Sequence, residues 1–180
     1  GERGLKVQLD EVAAAAGVGV GTVCRHFGTK DELVDAVLNR ARGVLIAAAD
    51  DCLALDDPGA GFRRFVDALV DFQSRYRVLA EEMAARPAAS ANASSLRQQA
   101  FNRITELVRR AQASGHLRAD LGAGDIAVLF AGIAHASTLT AHLSRTRRDR
   151  FVSVLLDGLS PKNASPLPGK PMSLTELVQS

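Results

Sequence analysis

Apolar positions recur every three or four residues along most of this chain, and no stretch alternates apolar with polar as a half-buried strand does. The first periodic segment, Leu9 to Phe27, divides at Gly17 into two short helices. Thr29, followed by Lys30-Asp31-Glu32, supplies a Ser/Thr-x-x-Glu capping box. From there Leu33, Val34, Val37, Leu38, Ala41, Val44, Leu45 and Ala48 mark a long helix from Lys30 that ends near Asp56. Asp57-Pro58-Gly59 is both its break and the start of the next helix, because Asp caps and Pro suits a first turn. That next helix carries Phe62, Phe65, Val66, Leu69, Val70 and Phe72, with Tyr76 beyond it. A short helix over Val78–Ala85 stops at Arg86-Pro87, and the small polar run Ala88–Ser95 reads as a loop.

Three further helices follow. One runs from about Leu96 to Ser114 with Gly115 as its stop, and a strongly apolar one runs from Asp125 to Leu143. The last covers Asp149 to Leu159. Arg145, Arg147, Arg148 and Arg150 read as a solvated linker between the last two, and the Pro- and Ser-rich residues after Leu159 read as a mobile tail or an arm packed on a neighbour. The predicted fold is therefore all-α. It divides into residues 1–29, residues 30–159 and a tail over 160–180.

The pair of short helices has a specific layout. Small residues at Ala13 and Ala16 allow close approach, Gly17 can take a left-handed turn, and Val12, Ala16, Val18, Val23 and Phe27 can bury beneath it. The exposed edge of the second helix then carries Val20, Gly21, Thr22, Cys24, Arg25 and His26. This is a helix-turn-helix arrangement, in which the second helix enters the DNA major groove.

Composition changes the picture little. Of 180 residues, 47% are hydrophobic, mostly Ala, Leu and Val, which favours helix. No window has the length of a membrane span, no segment resembles a signal peptide, and two cysteines are too few for a disulfide framework; a cytoplasmic protein without a membrane partner is expected. The net charge of +2 does not argue for nucleic acid, because Arg3, Lys6, Arg25, Lys30, Arg40 and Arg42 are balanced by six acidic residues over the same stretch.

Other chemistries find no support. Gly17, Gly19 and Gly21 do not make Gly-x-Gly-x-x-Gly, and no Gly-x-Ser-x-Gly elbow or paired catalytic carboxylates occur. None of His26, His116, His135 and His142 has a Glu three residues before it, although His135 and His142 could share a helix face. Neither an enzyme nor a cofactor or metal site is expected.

The string Ala16-Gly17-Val18 … Gly21-Thr22-Val23 … Arg25-His26-Phe27 … Thr29-Lys30 … Glu32-Leu33 closely resembles the TetR family of transcriptional repressors. Two later stretches, Gly115–Leu121 before Asp125-Ile126 and Phe151–Leu159, are also similar to the family, so the resemblance spans about Leu5 to Leu159. It implies a homodimer that binds double-stranded operator DNA and responds to a small-molecule effector. Gly19, Val20, Gly21, Thr22, Cys24, Arg25, His26 and Lys30 would then meet DNA, with Lys30 on a phosphate beside free helix N–H groups. Phe62, Phe65, Leu69, Phe72, Tyr76, Met83, Phe101 and Ile104 are either plain core or the wall of an effector pocket suited to a largely apolar ligand. Leu129, Ile133, Leu139, Phe151 and Leu155 would pair with a second subunit.

The chain also departs from the family pattern. Members carry a helix before the motif; here Gly1–Leu5 look like the end of such a helix, the leading residues having been disordered or removed. Gly19 stands where Ser or Thr usually opens the recognition helix, a minor loss. Cys24 stands where a Tyr usually meets a phosphate, so either that contact is lost or the thiol has another use. The resemblance implies a repressor, but an activator has the same sequence signature. The alternative class is a dimeric helical sensor, carrier or enzyme that does not bind DNA.

Overall fold

The computed structural model of the chain describes residue 21 and residues 30–75, 91–139, 145–162 and 164–178. Within these it is all-helical: α1 (Lys30–Leu53), α2 (Pro58–Arg75), α3 (Ala91–Ala113), α4 (Ala123–Leu139), α5 (Arg145–Gly158) and a single 3-10 turn over Glu176–Val178. The predicted helices over Leu9–Phe27 and Val78–Ala85 lie outside the described residues, apart from Gly21, which is helical and exposed.

Local chemistry sets the boundaries. Asp57 caps α2, its Oδ1 accepting the Gly59 N–H at 2.8 Å, with Pro58 in the first turn, where a missing N–H costs nothing. Gly115 closes α3 with φ +73°. The His116 N–H reaches the Ala111 carbonyl at 2.9 Å and the Gly115 N–H reaches Gln112 at 3.0 Å, the two bonds of a Schellman cap. At the head of α4 the Asp125 carboxylate accepts the Gly122 N–H at 2.8 Å, the reach-back half of a capping box.

α1 ends at Leu53, a few residues before the predicted Asp56, and Arg110 explains the stop. Its guanidinium donates to the Leu53 carbonyl and, at 3.2 Å, to that of Leu55, satisfying carbonyls a helix end leaves orphaned. Together with the Arg103–Asp50 ion pair at 2.7 Å, this sets α3 parallel to α1. Between them α2 completes the core: Phe62, Phe65, Val66, Leu69 and Val70 pack with Cys52 of α1, Leu107 and Val108 of α3, Ile126 and Phe130 of α4, and Val152 of α5. Each such side chain contributes about 1.5–3 kcal/mol by leaving water.

Three expectations are corrected. Residues 91–95 are the first turns of α3 rather than a loop: alanine is the best helix former, Ala93 is buried, and the serines face solvent. Arg145–Arg150 are helical rather than a linker, since arginine is also a good helix former.

The third correction concerns residues 164–178, which pack against their own chain as an arm. The Met172 carbonyl accepts the Gly124 N–H at 2.9 Å, and the Met172 N–H reaches Asp125 at 3.1 Å. Leu174 is buried to 5% exposure in the main core. Its turn carries a capping box of its own, the Ser173 N–H meeting Glu176 at 2.6 Å and the Glu176 N–H meeting Ser173 Oγ at 3.4 Å.

Candidate functional site

Of the residues predicted to meet DNA, Gly19, Val20, Thr22, Cys24, Arg25 and His26 lie outside the described residues. Gly21 is helical, exposed and surrounded by open space. Lys30 is the first residue of α1, as predicted, so its backbone N–H is one of the free donors of a helix start. Lys30 thus opens the 24-residue helix that enters the core.

The predicted effector wall separates into two groups. Phe62, Phe65, Leu69 and Phe72 are buried, and the first three sit in the main core. Phe101 and Ile104 are partly buried against that same core. Tyr76 and Met83 lie outside the described residues. Phe101 also borders a cleft of about 280 Å³ between α3, the head of α4 and the arm, which Gln98, Asn102, Thr105 and Met172 line as well. A second, more polar cleft of about 360 Å³ lies between α2 and α5, lined by Arg63, Asp67, Asp71, Asp149, Val152 and Ser153.

Sequence reasoning missed how the loop before α4 is built. Arg118 and Asp120 form a fork, Nε to Oδ1 at 2.6 Å and Nη2 to Oδ2 at 2.8 Å. The Arg118 N–H bonds the Leu159 carbonyl at 3.0 Å, and its guanidinium also reaches the Ser165 carbonyl. Asp120 accepts the Leu167 N–H at 3.1 Å. The Arg118 guanidinium, and then the Leu167 N–H, hold the Asp120 carboxyl well below the usual carboxylate range. This pair therefore ties α5 and the arm to one loop. The signals that could have revealed it were the Arg-x-Asp spacing and the Ser173-x-x-Glu176 cap in the tail.

On the outer side, α4 and α5 leave apolar surface uncovered. Ile126 and Phe130 point inward, while Val128 and Leu129 are exposed. On α5, Val152 is buried but Phe151 is 51% and Val154 63% exposed, with Leu155 intermediate. Thus Leu129 and Phe151 present the surface a partner would need, and Leu155 presents part of it. Ile133 and Leu139 lie on α4, and their side chains are outside the described set. The possible pairing of His135 with His142 is outside it too; among the described residues no group of three His, Cys, Asp or Glu side chains could hold a metal ion. No described helix is long and apolar enough to cross a membrane.

Residues 57–161 match the C-terminal domain of SbtR-like transcriptional regulators, and residues 1–37 match the bacterial regulatory proteins of the tetR family. The chain belongs to the TetR family of transcriptional regulators. It is accordingly a DNA-binding transcriptional regulator, and proteins of this family are typically non-enzymatic and dimeric. Solved structures agree. The TetR transcriptional regulator SCO0520 of Streptomyces coelicolor is 27% identical over 84% of this chain and 86% of its own, with a TM-score of 0.63. A protein of unknown function from Rhodococcus sp. RHA1 is 25% identical over 83% and 80%, with a TM-score of 0.59. The ketosteroid transcriptional regulator KstR2 of Mycobacterium tuberculosis, 19% identical over 88% of both chains at a TM-score of 0.58, shares the fold. A search of curated proteins gave no match.

Proposed function

We propose that this regulator is a cytoplasmic homodimeric repressor, released from its operator by a small, largely apolar inducer. Residues 1–29 form the DNA-binding module and residues 30–159 the effector and dimerisation domain. The carrying observation is the family match over residues 1–37, which includes every predicted DNA contact from Gly19 to Lys30. Thr22, Arg25 and His26 read base edges, Lys30 holds a phosphate, and Gly19, Val20, Gly21 and Cys24 complete the groove-facing edge.

The exposed apolar side chains Val128, Leu129, Phe151 and Val154 support dimerisation through α4 and α5, because apolar surface left uncovered on neighbouring helices suits an interface. Leu129, Ile133, Leu139, Phe151 and Leu155 pair there. The wall formed by Phe62, Phe65, Leu69, Phe72, Tyr76, Met83, Phe101 and Ile104 suits a ligand with few polar groups. The long helix α1 couples the two sites, since it begins at Lys30 and ends inside the core at Leu53. Inducer and DNA then weaken one another equally by linkage.

The test places a bound operator before a reporter gene. Expression should fall when the regulator is supplied and recover with an apolar compound that weakens DNA binding in vitro. Expression that rises with the regulator alone would make it an activator.

A further inference from the structure

Arg42 lies on the buried stripe of α1 with Val34, Leu38, Ala41 and Ala49, and is only 3% exposed. Among the described residues it donates one hydrogen bond, to Asn39 Oδ1 at 2.8 Å. A guanidinium has five donors in a rigid fork, so one amide oxygen takes up only a minority of its capacity. Among the described residues Arg42 forms no ion pair.

The surroundings make this more unusual. The contacts of Arg103 and Arg110 align α3 with α1 at sequence offsets of 53 to 57. Carried toward the helix starts, that alignment brings Arg97 to the level of Arg42. Burial, then the charge of Arg97, disfavour the charged form of Arg42, and Asp35, two turns away, only partly offsets them. The buried side chains near this seam are apolar and often small: Leu38 and Ala49 on α1, Ala93 and Ala100 on α3. Arg42 is therefore buried near a second arginine and lacks a carboxylate partner among the described residues. A buried cation without its counter-charge is a costly arrangement for structure alone.

We propose that Arg42 recognises an anionic head group on the effector, a carboxylate carried by an apolar body. The guanidinium fork matches a carboxylate in two parallel hydrogen bonds, and the nearby charge of Arg97 favours an anion there. The inference rests on the effector-domain reading above and names the ligand class.

The experiment measures binding and thermal stability of the full chain with decanoate and 4-phenylbutyrate, each beside its neutral amide. Wild type should bind the carboxylates at least tenfold more tightly than the amides and gain stability from them. R42M should lose that preference while still binding the apolar bodies, and without ligand should melt no lower than wild type, since an uncompensated charge has been removed. R42K, which keeps charge but not the fork, should lose the preference several-fold, and it serves where R42M does not fold. Equal binding of acid and amide by wild type overturns the proposal and leaves the effector reading standing, as does an R42M that keeps the preference or melts markedly lower. Binding of neither class overturns both.

Discussion

Gly122→Ala tests the docking of the arm at its closest approach. A Cβ at Gly122 would stand 2.0 Å from the Met172 carbonyl oxygen and 2.8 Å from its carbon, distances no real Cβ tolerates. The obstacle is backbone, so the arm must shift as a unit. What it would lose is the burial of Leu174, worth about 1.5–3 kcal/mol. Two hydrogen bonds at Met172 would go as well, each about 0.5–1.5 kcal/mol net. Chain entropy regained by the segment around Met172 offsets part of this. The expected net destabilisation is roughly 1–3 kcal/mol, at about 2–4 °C of melting temperature per kcal/mol for a chain of this size. Hydrogen exchange should show residues 164–178 losing protection while α1 to α3 keep theirs. Gly43→Ala is the control: it is helical with open space around it, and should be neutral or stabilising by up to about 1 kcal/mol. If Gly122→Ala leaves both the arm amides and the melting temperature unchanged, the docking described above is wrong.

Asp120 gives a pH test of the same arm. Its folded carboxyl holds protons more weakly than the unfolded one, so its contribution is complete above the unfolded value near pH 4 and drains away as pH falls below it. Arm amides should stay protected at pH 5 and lose protection, relative to their intrinsic exchange rates, in stronger acid, and Asp120→Asn should loosen them at pH 7. Phe151→Glu and Leu129→Glu should give folded monomers by sedimentation, because both side chains are already exposed in one protomer and a charge only penalises pairing; unchanged dimer mass would refute the interface. Lys30→Ala should weaken binding to all DNA sequences and reduce the salt slope by about one unit, as read by titration at several salt concentrations. Cys24→Tyr should tighten operator binding by about 1 kcal/mol if only a phosphate contact is missing; if mild peroxide releases wild type but not Cys24→Ser, the thiol is a redox sensor instead.

The sequence signals that proved legible were those with a single local cause. Asp57-Pro58 opens α2 and Gly115 closes α3 because capping and left-handed φ are decided within a few residues. The aromatic stripe Phe62, Phe65, Leu69 is buried as its period demands. What escaped depends on tertiary contact. Residues 91–95 read as a loop because Ser and Asn are weak helix formers, yet the buried Ala93 holds those turns against the body. The arm reads as a polar tail because its anchors are Met172 backbone atoms and one leucine, neither of which makes a periodic pattern. Arg42 counts in the sequence only as one of six balanced basic residues, and its burial emerges only in the folded chain.

The most direct test of the central claim is selection of duplex DNA by the intact protein from a random pool, followed by footprinting of the enriched sequence. A dimeric regulator with paired recognition helices predicts a palindrome whose half-sites lie about 34–36 Å apart, or a multiple of that. Both half-sites should be protected together, and Thr22→Ala or Arg25→Ala should alter the selected bases. A pool that remains random, or DNA binding that is equally tight on every sequence, would contradict the account.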